Sequence, residues 1–196
     1  MSLLIALGCS KDDDSSKEGQ NNKKLTDLVP QAYLDEAKEM GFAIFTGDNP
    51  PDVTGEYLLA PWRFDVDNYS LPGAGNIPGW IDEDGFSIQL SDQKGTSLTV
   101  RYIGYYEGEK EYSEPFVIGS GNDFTIVRHI KMFGGMGGLF TFPYAQLISG
   151  TKDGDVLRNV KMATIGLKAE TPNDGGITVD GNISIRSDAD GVSPLK

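Results

Sequence analysis

Residues 124–132 read FTIVRHIKM, residues 139–148 read LFTFPYAQLI and residues 156–168 read VLRNVKMATIGLK. Each run is rich in β-branched and aromatic residues and is bounded by Gly, Asn, Asp or Pro, the residues that punctuate strands. Outward from this block the same cadence recurs at Gly85–Leu90, Ser97–Tyr106, Tyr112–Ile118 and Ile177–Ile185. Repeated β runs separated by turns predict an all-β domain built as an antiparallel meander. The longest runs exceed a typical strand, so strong bending or bulges are predicted. Closing such a meander into a barrel removes its exposed edges; a β-sandwich is the alternative.

Before this block lies one short amphipathic helix. Thr26 or Asp27 can cap it, Pro30 suits a first turn, and Leu28, Tyr33, Leu34, Ala37 and Met40 recur at helical spacing before Gly41. Gly41–Phe45 then reads as a short strand, Gly47–Pro51 as a turn and Val53–Leu59 as a further strand. Gly134–Gly138 reads as a hairpin loop, because no Lys-Ser/Thr pair follows to make it a phosphate cradle.

The chain has 196 residues, 25 Gly, 10 Pro and a formal charge of −12. Such acidity opposes attraction to nucleic-acid phosphates or to an anionic membrane surface, so neither is a predicted partner. One cysteine and one histidine leave no disulfide framework and no zinc ligand set. His129 shares strand parity with Val127 and Lys131, which makes it a strand residue rather than a catalytic base. No Gly-x-Ser-x-Gly elbow occurs. Asp82–Gly85, Asp153–Asp155 and Asp188–Gly191 have oxygen-rich spacing but lack the closing Glu of a calcium loop, and they read as turns. The sequence therefore predicts no catalytic residues, no metal ligands and no cofactor. Its candidate ligand contacts are aromatic: Trp62, Tyr69 and Trp80, which flank the Gly- and Pro-rich segment Ser70–Pro78, together with Tyr105. Aromatic faces in such positions can stack on sugar rings or apolar ligands.

At the N-terminus Leu3, Leu4, Ile5, Ala6, Leu7 and Gly8 lead into Cys9, and Ser10-Lys11-Asp12-Asp13-Asp14-Ser15-Ser16 follows it. The layout resembles the lipobox of bacterial lipoprotein signal peptides, and the acidic stretch resembles the tether of Bacteroidetes-type outer-membrane lipoproteins. The resemblance implies cleavage before Cys9, lipidation of its thiol, and display on the outer membrane, facing outward. Anchoring of that kind needs more than one acyl chain. Residues 1–9 are then signal remnant and lipidation site, residues 10–24 a polar flexible tether, and residues 25–196 the β domain.

Three segments extend the resemblance to uncharacterised lipoproteins of that group: Gly47–Pro51 with Gly55-Glu56-Tyr57, Ile118–Thr125, and Ile148–Thr151. It implies a lipocalin-like (calycin-type) barrel, with Tyr57 where lipocalins carry Trp. The expected function is non-enzymatic: a surface-anchored module binding a small apolar or glycan-like ligand in the barrel mouth. An adhesin or cell-surface assembly component that binds another protein is the alternative, and a polysaccharide hydrolase ranks third.

Overall fold

Burial on both faces shapes the central strands. In the computed structural model, which describes residues 23–68, 78–104, 109–111, 114–134, 140–168 and 179–196, the predicted runs form β5 (Phe86–Lys94), β6 (Ser97–Ile103), β8 (Phe116–Ser120), β9 (Asp123–Gly134), β10 (Phe140–Asp153), β11 (Val156–Gly166) and β12 (Ile183–Asp188). These pair in chain order as an antiparallel meander. Along β9, Phe124 and Ile126 point into one apolar cluster, whereas Val127, of opposite parity, points into another. A strand covered on both faces reads as a near-continuous apolar run.

The sheet is extended at its ends by β2 (Gly55–Leu59), which pairs with β5, and by β3 (Trp62–Asp67) and β4 (Ile81–Asp82), which follow β12. Three short strands lie off this path: β1 (Asp48–Asn49) beside β8, β7 (Glu109–Glu111) beside β9, and β13 (Val192–Pro194) beside β11. Although β2 and β3 lie near opposite ends of the strand order, only Ala60 and Pro61 separate them in the chain. The sheet must therefore curl to bring its ends together. Tyr57 forms a bridge with Leu195, and Lys196 N–H donates to the Glu56 carbonyl at 2.9 Å, so the C-terminal residues tie β2 to β11.

The result is a half-barrel rather than the closed barrel expected. Among the described residues the end strands β2 and β4 share no ladder, and β6 and β8 share a single register pair, Ser97 with Phe116, so the strands do not close into a ring. All strands nevertheless belong to one sheet, where the sandwich alternative needs two. Across its hollow, Tyr57, Leu59, Ile88, Leu90, Leu98 and Val100 from β2, β5 and β6 meet Ile126, Ile148, Val160 and Met162 from β9, β10 and β11. The predicted irregularities are present as register shifts at Ser91/Lys94, Ser149/Thr151 and Ile185/Arg186.

Two helices cover the convex face in place of the single one expected. Residues 23–28 form α1, and Gln31–Glu39 form α2, with Pro30 at its N-cap. Thr26 and Asp27 lie inside α1 instead of capping a helix, and helical structure begins within the segment assigned to the tether. Leu25, Val29, Leu34 and Ala37 bury their side chains against Ile118, Leu147, Ile165 and Ile185 of the sheet.

Gly41–Phe45 forms no strand. Phe42 enters the helix-side cluster, and Phe45 N–H donates to Thr125 Oγ1 at 2.8 Å, a side-chain bond in place of a ladder. The turn expected over Gly47–Pro51 contains β1, which runs parallel to β8. A Cβ on Gly47 would stand 2.6 Å from the Gly119 carbonyl oxygen, so this pairing requires glycine.

Candidate functional site

The hollow of the half-barrel changes character along its length. Antiparallel partners present their side chains on the same face. Ile126, Ile148, Met162, Arg186 and Phe64 pair successively across β9, β10, β11, β12 and β3. One step along, the partners are Arg128, Gln146, Thr164, Ser184 and Asp67. A mostly apolar rung thus gives way to one that is wholly polar.

This polar row belongs to the concave face. Arg128 shares parity with Phe124 and Ile126 of the interior cluster, while the alternate residues Val127, Ala163, Ile183, Ile185 and Val66 face the helices. Tyr102, from β6 on the far side of the hollow, donates its hydroxyl to Gln146 Oε1 at 2.6 Å. Arg128 Nη1 donates to the same oxygen at 2.9 Å, and the guanidinium lies 4.7 Å from the Tyr102 ring centre. Gln146 is 2% exposed and Arg128 5% exposed, so the charge-assisted Arg128 contact and the neutral Tyr102 one lie away from bulk water and gain strength accordingly.

Aromatic packing positions Tyr102. Its ring meets Phe86 edge-on at 5.5 Å between centres, and Phe86 in turn meets Trp62 at 5.1 Å. On the neighbouring rung, Arg186 lies 5.6 Å from the Phe64 ring. At the far end of the row, Asp67 Oδ2 is buried with no hydrogen-bond partner among the described residues. Hydroxyls at Thr164 and Ser184, a guanidinium at Arg128 and a carboxylate at Asp67 can both donate to and accept from a hydroxyl-rich ligand.

Of the aromatic candidates, Trp62 is 3% exposed and supports the row from below through Phe86. Trp80 is 58% exposed and stands at the sheet edge just before β4, its carbonyl accepting from Phe64 N–H at 2.9 Å. Tyr69, Tyr105 and Cys9 lie outside the described residues. Sequence reading missed Arg128, Gln146, Thr164, Ser184 and Asp67. The available signal was polar side chains at inward parity within apolar runs, above all Arg128 between Ile126 and Ile130 and Gln146 between Tyr144 and Ile148.

The acidic-glycine segments are turns. Asp82 Oδ1 accepts from the N–H groups of Asp84 and Gly85, both at 3.3 Å, and Asp153–Asp155 joins β10 to β11. Among the described residues no three His, Cys, Asp or Glu side chains converge as a metal-ligand set. No described helix is long and apolar enough to cross a membrane. Comparison with family models, with curated proteins and with solved structures gives no significant match.

Proposed function

We propose that this chain is a non-enzymatic binding module that takes a glycan-like ligand on the polar row of its half-barrel, with a lipocalin-like arrangement of hollow and rim. The supporting observation is the adjacency of Arg128, Gln146, Thr164, Ser184 and Asp67 on one concave rung, with Tyr102 reaching them from across the hollow. The packing favours a glycan over a purely apolar ligand. Ile126, Ile148 and Met162 of the adjacent rung are already buried against β2, β5 and β6; in the row Arg128, Gln146 and Ser184 are buried too, and it is the half-buried Thr164 and Asp67 that offer a hydroxyl-rich ligand a donor and acceptors. Removing a hydroxyl partner from a site built to hydrogen-bond it is strongly discriminated against.

The leader supports a location for this module on an outer membrane, anchored through lipidated Cys9. Cys9→Ser is expected to abolish acyl labelling and to release the protein from membranes; unchanged membrane association would exclude a Cys9 anchor. A glycan array tests the binding reading. The wild-type chain is expected to bind a discrete subset of neutral oligosaccharides, and Gln146→Leu to lose at least about tenfold in affinity for them, the cost of roughly one buried hydrogen bond. Equal binding by both chains would remove the row from the site.

One observation favours the second reading, a protein-binding adhesin. Trp80 and Ile81 are exposed large apolar residues beside the two-residue strand β4 at the sheet edge, where a partner strand could pair. Glycosidic cleavage by the two-carboxylate route needs a facing pair, and the row's described positions carry one carboxylate, Asp67.

A further inference from the structure

At the opposite end of β12 from Ser184, the chain turns through Asp188-Ala189-Asp190-Gly191 into β13. Two acids of this turn grip consecutive residues of β13: Asp190 Oδ1 accepts from Val192 N–H at 2.9 Å, and Asp188 Oδ2 accepts from Ser193 Oγ. Asp188 and Ser193 are buried, whereas Asp190 is exposed. The Asp188 carboxyl is also hydrogen-bonded to that of Asp190. Two ionised carboxylates hold only acceptors, so this bond requires a proton on one of them. Acids that share a proton in this way ionise as a pair, the second of them late.

Beyond the turn, residues 192–196 form a strap between β11 and β2. Ser193 pairs with Leu157 of β11, and Leu195 N–H donates to the Asp155 carbonyl at 3.0 Å. Leu195 then bridges to Tyr57, and Lys196 N–H bonds the Glu56 carbonyl. The strap is short, since β13 has three residues where β12 has six, and short terminal segments open ahead of the rest of a fold. Facing the acid pair are Arg63 of β3 and Lys161 of β11; β13 brings no titratable side chain. Arg63 Nε donates to Asp65 Oδ1 at 2.7 Å and its Nη2 to Ser187 Oγ at 3.1 Å, while Lys161 Nζ donates to the Gly41 carbonyl at 2.9 Å. Burial raises the Asp188 carboxyl, the Ser193 bond lowers it, and the charge and hydrogen bond of Asp190 raise it again, to about 6.

We propose that residues 192–196 are a pH-sensitive strap: the proton shared by Asp188 and Asp190 keeps it seated on β11 and β2 in acid, and loss of that proton toward neutral pH loosens it. Once both acids are charged, two carboxylates meet where only Asp190 reaches water, an arrangement that burial and like charge both oppose. Turning Asp188 outward relieves the contact but breaks its bond to Ser193, and with it one of the two grips on β13. The seated strap holds the proton more tightly than the released one, so seating is strongest in acid and weakens as pH rises through the folded value. Release leaves β2 without its partner on the side away from β5. The strap lies at the other end of β12 from the polar row and does not depend on the row binding anything.

The test is amide hydrogen exchange of the full chain by NMR between pH 5 and pH 8, with each rate divided by the intrinsic rate at that pH. Protection of the Leu195 and Lys196 amides, which bond across to Asp155 and Glu56, is expected to fall about tenfold over this range. Asp188→Asn is expected to flatten that dependence, because an amide needs no shared proton to bond Asp190. Asp190→Asn, at an exposed position, offers Asp188 an amide donor in place of a second acid and is expected to do the same, which keeps the test open should the first variant not fold. Leu195 and Lys196 protection that does not change with pH, while that of Ala145 in the centre of the sheet does, would show that the pair is released only with the whole fold and would overturn the strap. No pH dependence at either place, or an undiminished one in both folded variants, would overturn it as well.

Discussion

Asp188→Asn should make the protein less sensitive to rising pH. The Asp188 carboxyl ionises near 3.8 in its ordinary state and at about 6 in the fold. A raised carboxyl pKa means that the folded state holds the proton more tightly than the unfolded state. Its contribution is therefore fully present below the unfolded value and is lost as pH rises through the folded one. A gap of about two pH units corresponds to about 3 kcal/mol lost between roughly pH 4 and pH 7. In a chain of this size that lowers Tm by about 6–12 °C. The introduced amide would keep an acceptor for Ser193 Oγ and could donate to Asp190, so the variant lacks this loss. The other charged groups around the turn, Asp190, Arg63 and Lys161, are the same in both chains. Calorimetry of both chains at several pH values isolates the contribution of the Asp188–Asp190 pair, because carboxylates away from this turn cancel in the difference. A Tm difference between the two chains that does not change with pH would refute the reasoning.

Trp62→Ala should cost about 3–5 kcal/mol in urea unfolding, because a buried ring packed against Phe86 is lost; a loss under about 1 kcal/mol would show that Phe86 and Tyr102 are held without it. Gly85→Ala should cost at least about 2 kcal/mol, since Gly85 has φ of 55° and its added Cβ would stand 2.0 Å from the Leu59 carbonyl oxygen. Gly95→Ala is the control: φ is 60° but nothing lies within 4 Å of the new Cβ, so only the left-handed backbone cost of about 1 kcal/mol is expected. Equal losses in urea unfolding at Gly85 and Gly95 would mean that the chain relieves the clash.

The meander was legible because β9, β10 and β11 are long, β-rich and separated by short turns. Strand β3 was legible too but passed over: Trp62, Phe64 and Val66 alternate with Arg63, Asp65 and Asp67 at period two. Its place beside β12 is not a local property, since it depends on the curl that brings β2 and β3 to the two sides of the sheet. Openness was likewise unreadable, because the weak seam at Ser97 and Phe116 is a matter of register. Pro30 suggested one helix boundary, and the division into α1 and α2 at that residue follows from the same missing N–H donor that made it a good first-turn residue. The polar row escaped notice for a different reason. Arg128 and Gln146 each look incidental within their own strand, and only the pairing of β9 with β10, and of β10 with β11, makes them neighbours of Thr164, Ser184 and Asp67. The Asp188 turn was recognised as oxygen-rich, whereas the burial of its carboxylate comes from packing beneath β13.

The central claim, that the polar row holds a glycan-like ligand, is tested most directly by NMR of the side-chain N–H signals of Arg128 and Gln146 during titration with a panel of neutral hexasaccharides to about 10 mM, a range that detects even weak binding. At least one sugar is predicted to shift both signals in a saturable way. Shifts confined to Trp80 and Ile81 at the sheet edge, or no saturable shift at the row with any sugar, would contradict the account.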